Sequence, residues 1–360
     1  MTTMSSSDPT PPATPVDLER TFFIVGAGRS GTTLLRRLLT QHPALAVTPE
    51  THFMKLADRH ALLEERPIED FEALWTHYIE TTRFRDLDVD PARCRELIEV
   101  QGVPTGRTVF RGVLAAYGEK EGKRRVGEKT PRHLAWAGTL LEWFPEGRII
   151  IIVRDPRAVV ASKMKDPWSH RRAQGPEGDS VYLRSRRLYR AAVFAEEWMQ
   201  SYAVNARRWA DHPRVTSTSY KRLVVEPEAV LRELCAFLGE EFDPSLLTGG
   251  APDPAPPAGM VGDAELDAWR KEHHARAAAP VDANSLEKWK HQLRPAEIAL
   301  VEGWCGEEME TRGYALTSDA SDRDRACHRA RRLAALAKGE ARLVRLAAKG
   351  RQKAWRLLGR

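Results

Sequence analysis

The sequence predicts an α/β fold in which a central parallel sheet is flanked by helices. Short apolar runs alternate with helical patterns along most of the 360 residues, as in chains that build parallel sheets. The clearest run, RIIIIV at residues 148–153, is apolar after its first residue. Such a β-branched run is typical of a parallel strand that is buried on both faces.

The first half of the chain yields three predicted strands. They cover residues 22–25, 45–47 and 126–132, and a helix over residues 32–41 follows the first of them. Pro43 ends that helix, since the residue before a proline avoids the helical conformation. Residues 57–123 are predicted to be a mostly helical, amphipathic insertion that covers the cleft.

The second half continues the alternation. A helix with leucines and Trp143 on one face precedes the strand at 148–153, and Pro156 starts the next helix. Further elements are predicted as a helix over 184–209, a strand over 214–220, a helix from 227 to 237 and a last helix over 295–312. Loops are predicted at 165–182 and at 249–274, the latter opening with a proline- and glycine-rich stretch.

Composition separates a body from two terminal segments. Residues 1–20 are polar and proline-rich and predict a disordered leader, and residues 21–318 form the predicted domain. From Asp322 onward there are thirteen Lys and Arg against three Asp and Glu, while the net charge is +6, so the preceding residues are about four units negative. The tail at 319–360 predicts either a basic amphipathic helix on an anionic membrane or partner, or a solvated extension.

Targeting and redox signals favour a cytoplasmic protein. The N-terminus lacks the basic start and apolar stretch of a secretion signal, and no window of eighteen apolar residues predicts a membrane span. The four cysteines are widely scattered, which indicates neither a zinc site nor a disulfide framework. No motif that reads nucleic acid is present either.

The first strand runs directly into a phosphate-binding pattern. Gly26 and Gly31, with four residues between them, precede Thr32 and Thr33, so backbone N–H groups and a helix N-terminus face one anion. An ATP-binding loop requires lysine where Thr32 stands, and the nearby cation is instead Arg29. The alternative is a strand-to-helix turn without a ligand, which the cation and hydroxyls gathered here disfavour.

A second anion site is predicted beyond the central strand. Arg154 follows that strand, and Ser162 lies two helical turns further along the chain. Ligands of open α/β sheets bind beyond the carboxyl ends of strands, and an arginine there can hold a phosphate with both guanidinium nitrogens. The alternative is a turn in which Arg154 pairs with Asp155.

Two more charged groups are catalytic candidates. Glu50, followed by His52, leaves the second strand and could accept a proton, while Lys129 in GEKTP could neutralise charge on a transferring group. Taken alone, a capping or salt-bridging glutamate and a surface lysine are the simpler interpretations.

Four segments together resemble one family. GAGRSGTTLL, PETHF, GEKTPRHL and IIIIVRDPRAVVASKMK are similar to the sulfotransferases that use 3′-phosphoadenylyl sulfate (PAPS), particularly the bacterial and tyrosylprotein-type branch. The resemblance extends over roughly residues 21–315 and implies a fold like that of the P-loop nucleoside triphosphatases. It implies PAPS as co-substrate and no metal.

The resemblance also implies roles for individual residues. The 5′-phosphosulfate would lie on the first loop, the 3′-phosphate on the second site, and the nucleotide would be contacted further along the chain. The implied residues are Arg29, Ser30, Gly31, Thr32 and Thr33 for the first, Arg154 and Ser162 for the second, Tyr220 and Lys288 for the nucleotide, Glu50 as general base, and Lys129 and Arg29 for the developing charge.

Two departures from the family pattern limit the prediction. Lys221 and Arg222 replace an acidic pair, and His52 stands where the tyrosylprotein branch has arginine, which argues against acidic tyrosine peptides as acceptors. Whether Glu50 or His52 is the base stays open from sequence.

The predicted function is transfer of a sulfuryl group from PAPS to a hydroxyl. The acceptor is a carbohydrate, lipid, natural product or protein, and the sequence does not choose among them. The alternatives are a kinase with a variant phosphate loop, disfavoured by Thr32, and a non-catalytic nucleotide-binding scaffold that docks through its basic tail.

Overall fold

The computed structural model describes residues 15–166, 186–248 and 283–335. Residues 1–14, most of the predicted loops at 165–182 and 249–274, and residues 336–360 of the predicted tail lie outside the described residues.

The described strands form one parallel sheet with the spatial order β2-β3-β1-β4-β5. The strands are β1 (Asp17–Gly26), β2 (Leu45–Thr48), β3 (Arg125–Lys129), β4 (Arg148–Val153) and β5 (Val215–Ser219). The predicted fold class is confirmed. Long apolar runs form its central strands because both faces of β1 and β4 are covered by helices.

Helices occupy much of the chain between β1 and β3. They are α1 (Thr32–Thr40), α2 (Phe53–Arg59), α3 (Phe71–Ile79), α4 (Thr82–Arg85), α5 (Pro91–Glu99) and α6 (Gly106–Lys120). The helical character predicted for residues 57–123 is therefore observed. Aromatic packing joins this region to the sheet: the rings of Phe110 on α6 and Phe23 on β1 stack with centroids 6.4 Å apart.

The later helices complete the layers around the sheet. They are α7 (Ala137–Trp143), α8 (Pro156–Lys163), α9 (Arg186–Met199), α10 (Asn205–Trp209), α11 (Tyr220–Val225), α12 (Pro227–Leu238), α13 (Trp289–Gln292) and α14 (Pro295–Thr311). A π-helical turn, Gln200–Val204, interrupts the long helix predicted over 184–209. Gly239 ends α12 in the left-handed conformation, as its position after the helix predicts.

Described secondary structure extends beyond both ends of the domain predicted over residues 21–318. β1 begins at Asp17, so the last four residues of the predicted leader belong to the sheet, where the backbone of Asp17 pairs with that of Arg124. At the other end residues 320–335 form a helix, α15, that buries Ala326, Cys327 and Ala330. Small side chains on one face let α15 lie close to α14. The first part of the predicted tail therefore packs against the body.

Two apolar cores lie on the two faces of the sheet. The larger one contains Phe23, Val25 and Ile151 together with the residues of α6, α7 and α9. The smaller one contains Phe22, Ile24 and Ile152 with the leucines of α1 and α12. The alternation of side chains along β1 and β4 assigns neighbouring residues to opposite cores. Among the described helices, none has the length and apolarity needed to cross a bilayer.

Gly127 on β3 provides a test of this packing. A β-carbon at this position would lie 2.4 Å from Cζ of the buried Phe22 ring. Gly127→Ala should therefore lower the free energy of unfolding by about 1–3 kcal/mol, the usual cost of overpacking. Urea denaturation measures it, with Gly28→Ala as control because a β-carbon there would meet no heavy atom of the described residues within 4 Å. Equal stability of the two variants would contradict this packing.

Candidate active site

Because all five strands run in parallel, their carboxyl ends meet at one edge of the sheet. The predicted site residues lie along this edge in spatial order. Glu50 follows β2, Lys129 ends β3, the glycine loop follows β1, Arg154 follows β4 and Tyr220 follows β5. Separate segments of the chain therefore build one continuous site.

The glycine loop turns tightly onto the N-terminus of α1. Gly31 has a φ of 100°, and a β-carbon there would lie 2.3 Å from the Tyr220 ring, so only glycine fits. Ser30 is fully buried, and its Oγ has no hydrogen-bond partner in the part of the chain that is described. Thr32 is buried and Thr33 half-buried in the first turn of α1. The loop thus carries an unused hydroxyl beside a helix N-terminus.

Arg29 links the two predicted anion sites. Its Nε donates to Oγ of Ser162 over 3.0 Å, which brings α8 against the glycine loop. Its backbone oxygen accepts from the Arg154 guanidinium at 3.3 Å. Arg29 also adopts a φ of 74°, a left-handed conformation that costs about 1–2 kcal/mol for an L-residue. Strain of this kind often marks a functional site.

Arg154 is enclosed by neutral groups. Its guanidinium lies 4.1 Å above the Tyr220 ring and donates to the backbone oxygen of Ser285 at 3.1 Å. Within the described residues its Nε has no partner, and no carboxylate there pairs with it. Burial lowers the pKa of Arg154 from its ordinary value, although Tyr220 and Asp155 oppose this shift. The predicted alternative, an Arg154–Asp155 pair, is not what the structure shows.

Asp155 instead pairs with the neighbouring arginine. Arg157 contacts Asp155 at 2.7 Å and Glu302 at 2.6 Å, so its buried charge is neutralised within the protein. Arg154 lacks such compensation among the described residues. A cation whose buried Nε has no described partner differs in this respect from Arg157, and the position has the charge that an anion would complement.

Glu50, Lys129 and His52 form a hydrogen-bonded group at the other end of the edge. Oε1 of Glu50 accepts from Lys129 at 2.9 Å, and Oε2 of Glu50 accepts from Nε2 of His52 at 3.0 Å. The Lys129 side chain is only 6% exposed, whereas the Glu50 and His52 side chains are 29% and 28% exposed. The structure therefore brings together both predicted catalytic residues and leaves the carboxylate and imidazole accessible.

The surroundings of Glu50 and His52 lower the pKa of both side chains. Burial raises the pKa of Glu50, but Lys129, His52 and Arg83 outweigh it and hold that pKa well below its ordinary value. Burial lowers the pKa of His52, and the neighbouring carboxylate opposes the shift only in part. At neutral pH Glu50 is thus ionised and the imidazole neutral. Since the carboxylate accepts from Nε2, the proton of the imidazole lies there and Nδ1 carries the lone pair.

Two residues of the site, Ser285 and Glu128, were given no role in the sequence analysis. Ser285 closes over the second site, where its Oγ lies 3.0 Å from the Tyr220 hydroxyl, and Glu128 lies buried next to Lys129. The position of Glu128 at a strand end was the one available signal. Lys288 is exposed three residues beyond Ser285, so its part in the site stays a prediction.

The fold and site define an α/β protein with a glycine loop at the carboxyl end of β1 and an arginine, Arg154, beyond the neighbouring strand β4. A family model described as "Sulfotransferase family" matches residues 21–244, more than half of the chain. The chain belongs to the sulfotransferase family, which confirms the resemblance at family level and supports a transferase activity.

Curated relatives match over much of the chain. It is 24% identical over 294 residues to the nodulation protein NoeE of Sinorhizobium fredii, covering 80% of this chain and 64% of that protein, a little under two thirds of its length. It is 26% identical over 335 residues to the omega-hydroxy-beta-dihydromenaquinone-9 sulfotransferase Stf3 of Mycobacterium bovis, covering 81% of this chain and 74% of that protein.

Solved structures share the fold. The sulfotransferase domain from the curacin biosynthetic pathway aligns with a TM-score of 0.51 and 21% identity, covering 82% of this chain and 98% of that domain. The sulfotransferase domain of the Synechococcus PCC 7002 olefin synthase aligns with a TM-score of 0.50 and 23% identity, covering 82% and 95%. The likeness shows the P-loop-like sulfotransferase fold.

The left-handed backbone conformation of Arg29 gives a prediction that separates the effect of the backbone on stability from that of the side chain. Arg29→Gly and Arg29→Ala both remove the guanidinium, but only glycine adopts a φ of 74° without strain. The glycine variant should be more stable by about 1 kcal/mol, the reverse of the order in a helix interior. Thermal unfolding of both variants tests this. An alanine variant as stable as the glycine variant would show that the loop relaxes out of the left-handed region.

Proposed function

We propose that this protein transfers a sulfuryl group from PAPS to a hydroxyl of an acceptor. The observation that carries the proposal is the half-buried guanidinium of Arg154, one strand away from the glycine loop, whose buried Nε has no partner and which no carboxylate pairs with among the described residues. A nucleotide with an anion at each of two positions would complement both sites. PAPS has this character because it carries a 3′-phosphate in addition to its 5′-phosphosulfate.

The strand order supports one orientation of the donor. Neighbouring parallel strands lie about 4.8 Å apart, so the edge divides into three successive regions. β4 and β5 provide Arg154 and Tyr220 for the 3′-phosphate, and β1 provides the glycine loop for the 5′-phosphosulfate. β3 and β2 then place Lys129 and Glu50 beyond the loop, where the acceptor hydroxyl would approach the sulfur.

The residues present fit such a donor. The unused hydroxyl of Ser30 and the unused Nε of Arg154 are buried donors that a phosphate or sulfate oxygen would satisfy. Arg29 and Ser162 lie between them and already contact each other. When bound, PAPS supplies the activated sulfuryl group. These residues bind and orient it, and their preformed arrangement favours an electrostatic contribution to the rate.

Glu50 and His52 together provide the base. A carboxylate whose pKa is held this low is a weak proton acceptor by itself, whereas the neutral imidazole has a free lone pair on Nδ1. The acceptor proton passes to this pair, with Glu50 orienting the ring and stabilising the imidazolium that forms. Lys129 holds Glu50 in place and faces the negative charge that develops on the leaving oxygen.

The candidate acceptors are small molecules, lipids, glycans and protein hydroxyls, and the proposed location is the cytoplasm, with peripheral contact to a membrane through the basic tail. The burial of α15 limits which side chains of residues 320–335 such a membrane contact would use. Because α15 buries Ala326, Cys327 and Ala330 against the body, residues 320–335 would meet an anionic surface through exposed arginines.

Replacing Arg154 tests the donor assignment. Arg154→Ala should weaken binding of adenosine 3′,5′-bisphosphate by about tenfold to a hundredfold, the value of a charge-assisted contact, and weaken binding of AMP much less. Calorimetric titration of both nucleotides measures the difference, with the exposed Arg232→Ala as control. Equal weakening for both nucleotides would mean that Arg154 does not contact a 3′-phosphate.

Replacing Glu50 tests the catalytic pair. Glu50→Gln should lower turnover of labelled PAPS with an acceptor-containing extract by about a hundredfold or more, because the imidazole loses its orienting charge. Binding of adenosine 3′,5′-bisphosphate should persist. Glu228→Gln, an exposed change on α12, is the control. Wild-type turnover in the Glu50 variant would remove this pair from catalysis, and incorporation from labelled ATP instead of PAPS would support the kinase alternative.

As pH falls, activity should disappear when His52 gains a proton. Since burial lowers the pKa of His52 from 6.5, the acid limb of kcat/KM should lie below pH 6.5. A pH–rate profile in wild type and in His52→Asn measures it. An acid limb that stays unchanged in the Asn variant would assign it to another group.

A further inference from the structure

Four consecutive backbone N–H groups, those of residues 51–54, are held by side chains at the start of α2. The N–H of Thr51 donates to Oε1 of Glu128 at 3.3 Å, and the N–H of His52 donates to Oγ1 of Thr130 at 3.3 Å. These are N–H groups at a helix N-terminus, which have no partner within the helix. Their acceptors come from the end of β3, not from the helix itself.

The next two N–H groups complete the arrangement. The N–H of Phe53 donates to Oγ1 of Thr51 at 3.2 Å, and the N–H of Met54 donates to Nε2 of His133 at 3.3 Å. His133 follows β3 in a short 3₁₀ segment, Pro131–Trp136. Three of the four bonds therefore tie one short segment to the chain that leaves β3, and the fourth runs through Thr51. We call this set of side chains the 51–54 cradle.

Glu128 is the centre of the cradle. Its Oε1 also accepts from the hydroxyls of Thr51 at 2.8 Å and Thr130 at 2.5 Å. Its Oε2 lies 2.9 Å from Nδ1 of His133, close enough for an electrostatic contact although off the line of an ideal hydrogen bond. The carboxylate is fully buried. It therefore organises every other acceptor of the cradle.

The cradle fixes a strained residue of the proposed site. His52 has a φ of 51°, a left-handed conformation that is uncommon for residues other than glycine. The residues on either side of His52, Thr51 and Phe53, are both held by the cradle. From this backbone conformation the imidazole reaches Oε2 of Glu50 at 3.0 Å.

Adjacent residues of β3 divide the work between backbone and side chain. Successive side chains of a strand point to opposite faces. Glu128 accordingly holds the backbone of residues 51–54, while Lys129 holds the Glu50 carboxylate at 2.9 Å. These two adjacent residues thus hold the Glu50–His52 pair from two directions, Glu128 through the backbone of residues 51–54 and Lys129 through the Glu50 carboxylate.

We propose that Glu128 is a positioning residue for the Glu50–His52 pair: its buried carboxylate holds residues 51–54 so that the imidazole meets Glu50. The proposal rests on the proposed function, because it concerns the same catalytic group. Because Glu128 is fully buried, neither donor nor acceptor would reach its carboxylate. It should therefore affect the chemical step and leave the donor site unchanged.

Glu128→Gln is the informative variant because it preserves size. The amide oxygen still accepts from Thr51 or Thr130, but the amide NH₂ now faces Nδ1–H of His133, and two donors cannot bond. Moving the imidazole proton to Nε2 would relieve that conflict and would remove the acceptor of the Met54 N–H. Either response loosens the cradle without opening a cavity.

The experiment measures the chemical step, the donor site and the cradle in one set of variants. Glu128→Gln should lower kcat for labelled PAPS with an acceptor-containing extract by about tenfold or more, the loss that accompanies a misplaced catalytic group. The Kd for adenosine 3′,5′-bisphosphate should stay within about twofold of wild type, because Arg154 and the glycine loop are untouched. Amide hydrogen exchange should accelerate at residues 51–54.

Glu240→Gln is the matched control. The Glu240 side chain is buried like that of Glu128 and pairs with Arg125 at the opposite end of β3, at 3.0 Å. Its loss should lower stability while leaving kcat and the exchange of residues 51–54 at wild-type values. An equal fall in kcat for both variants would reduce the Glu128 effect to general destabilisation and overturn the proposal.

Failure of the positioning role and failure of the proposed function give different results. Unchanged kcat and unchanged exchange at residues 51–54 in a folded Glu128→Gln protein overturn the positioning role alone. Absence of PAPS turnover and of bisphosphate binding in wild type overturns the proposed function. In that case exchange at residues 51–54 still decides whether Glu128 holds this segment.

Discussion

The site depends on one constraint, the parallel direction of all five described strands. Because each strand delivers its carboxyl end to the same edge, five sequence-distant groups form a line whose spacing is that of strands. Hydrogen bonding between strands fixes this spacing more firmly than loops could. The glycine loop lies centrally because β1 is the central strand, so anions bound there have Arg154 on one side and Lys129 on the other.

The features that the sequence could predict are those that local patterns encode. The β-branched run of β4 has the predicted bounds, 148–153, and Arg154 lies where a strand-end arginine should lie. The spacing of Gly26 and Gly31 predicts a tight turn between a strand and a helix. Gly31 does lie too close to Tyr220 for any side chain to fit. The helical region between β2 and β3 follows from its periodicity.

What the sequence could not predict are contacts between distant segments. The start of β1 at Asp17 depends on pairing with the chain before β3, and polar residues give no apolar signal for it. Glu128 looks like an ordinary charged residue until Thr51 and His133 surround it. The basic charge of the tail can be counted from the sequence. The burial of α15, however, depends on the packing of the small residues on one of its faces against α14. Tertiary packing overrides composition in each case.

The pairing of arginines near the carboxyl edge of the sheet connects the proposed binding of the nucleotide with the proposed proton transfer. The chain neutralises Arg125 with Glu240 and Arg157 with Asp155 and Glu302, yet it surrounds Arg154 with carbonyls and an aromatic ring. A guanidinium that is already paired would have to break its pair before it bound a ligand anion, and within the described residues Arg154 has no carboxylate partner. Arg154 and Tyr220, proposed to bind the 3′-phosphate, follow β4 and β5, whereas Glu50 and Lys129 of the proposed catalytic group lie at the ends of β2 and β3. Binding energy from the non-reacting end of the nucleotide would thus hold the reacting end against a base whose strained backbone is already in place.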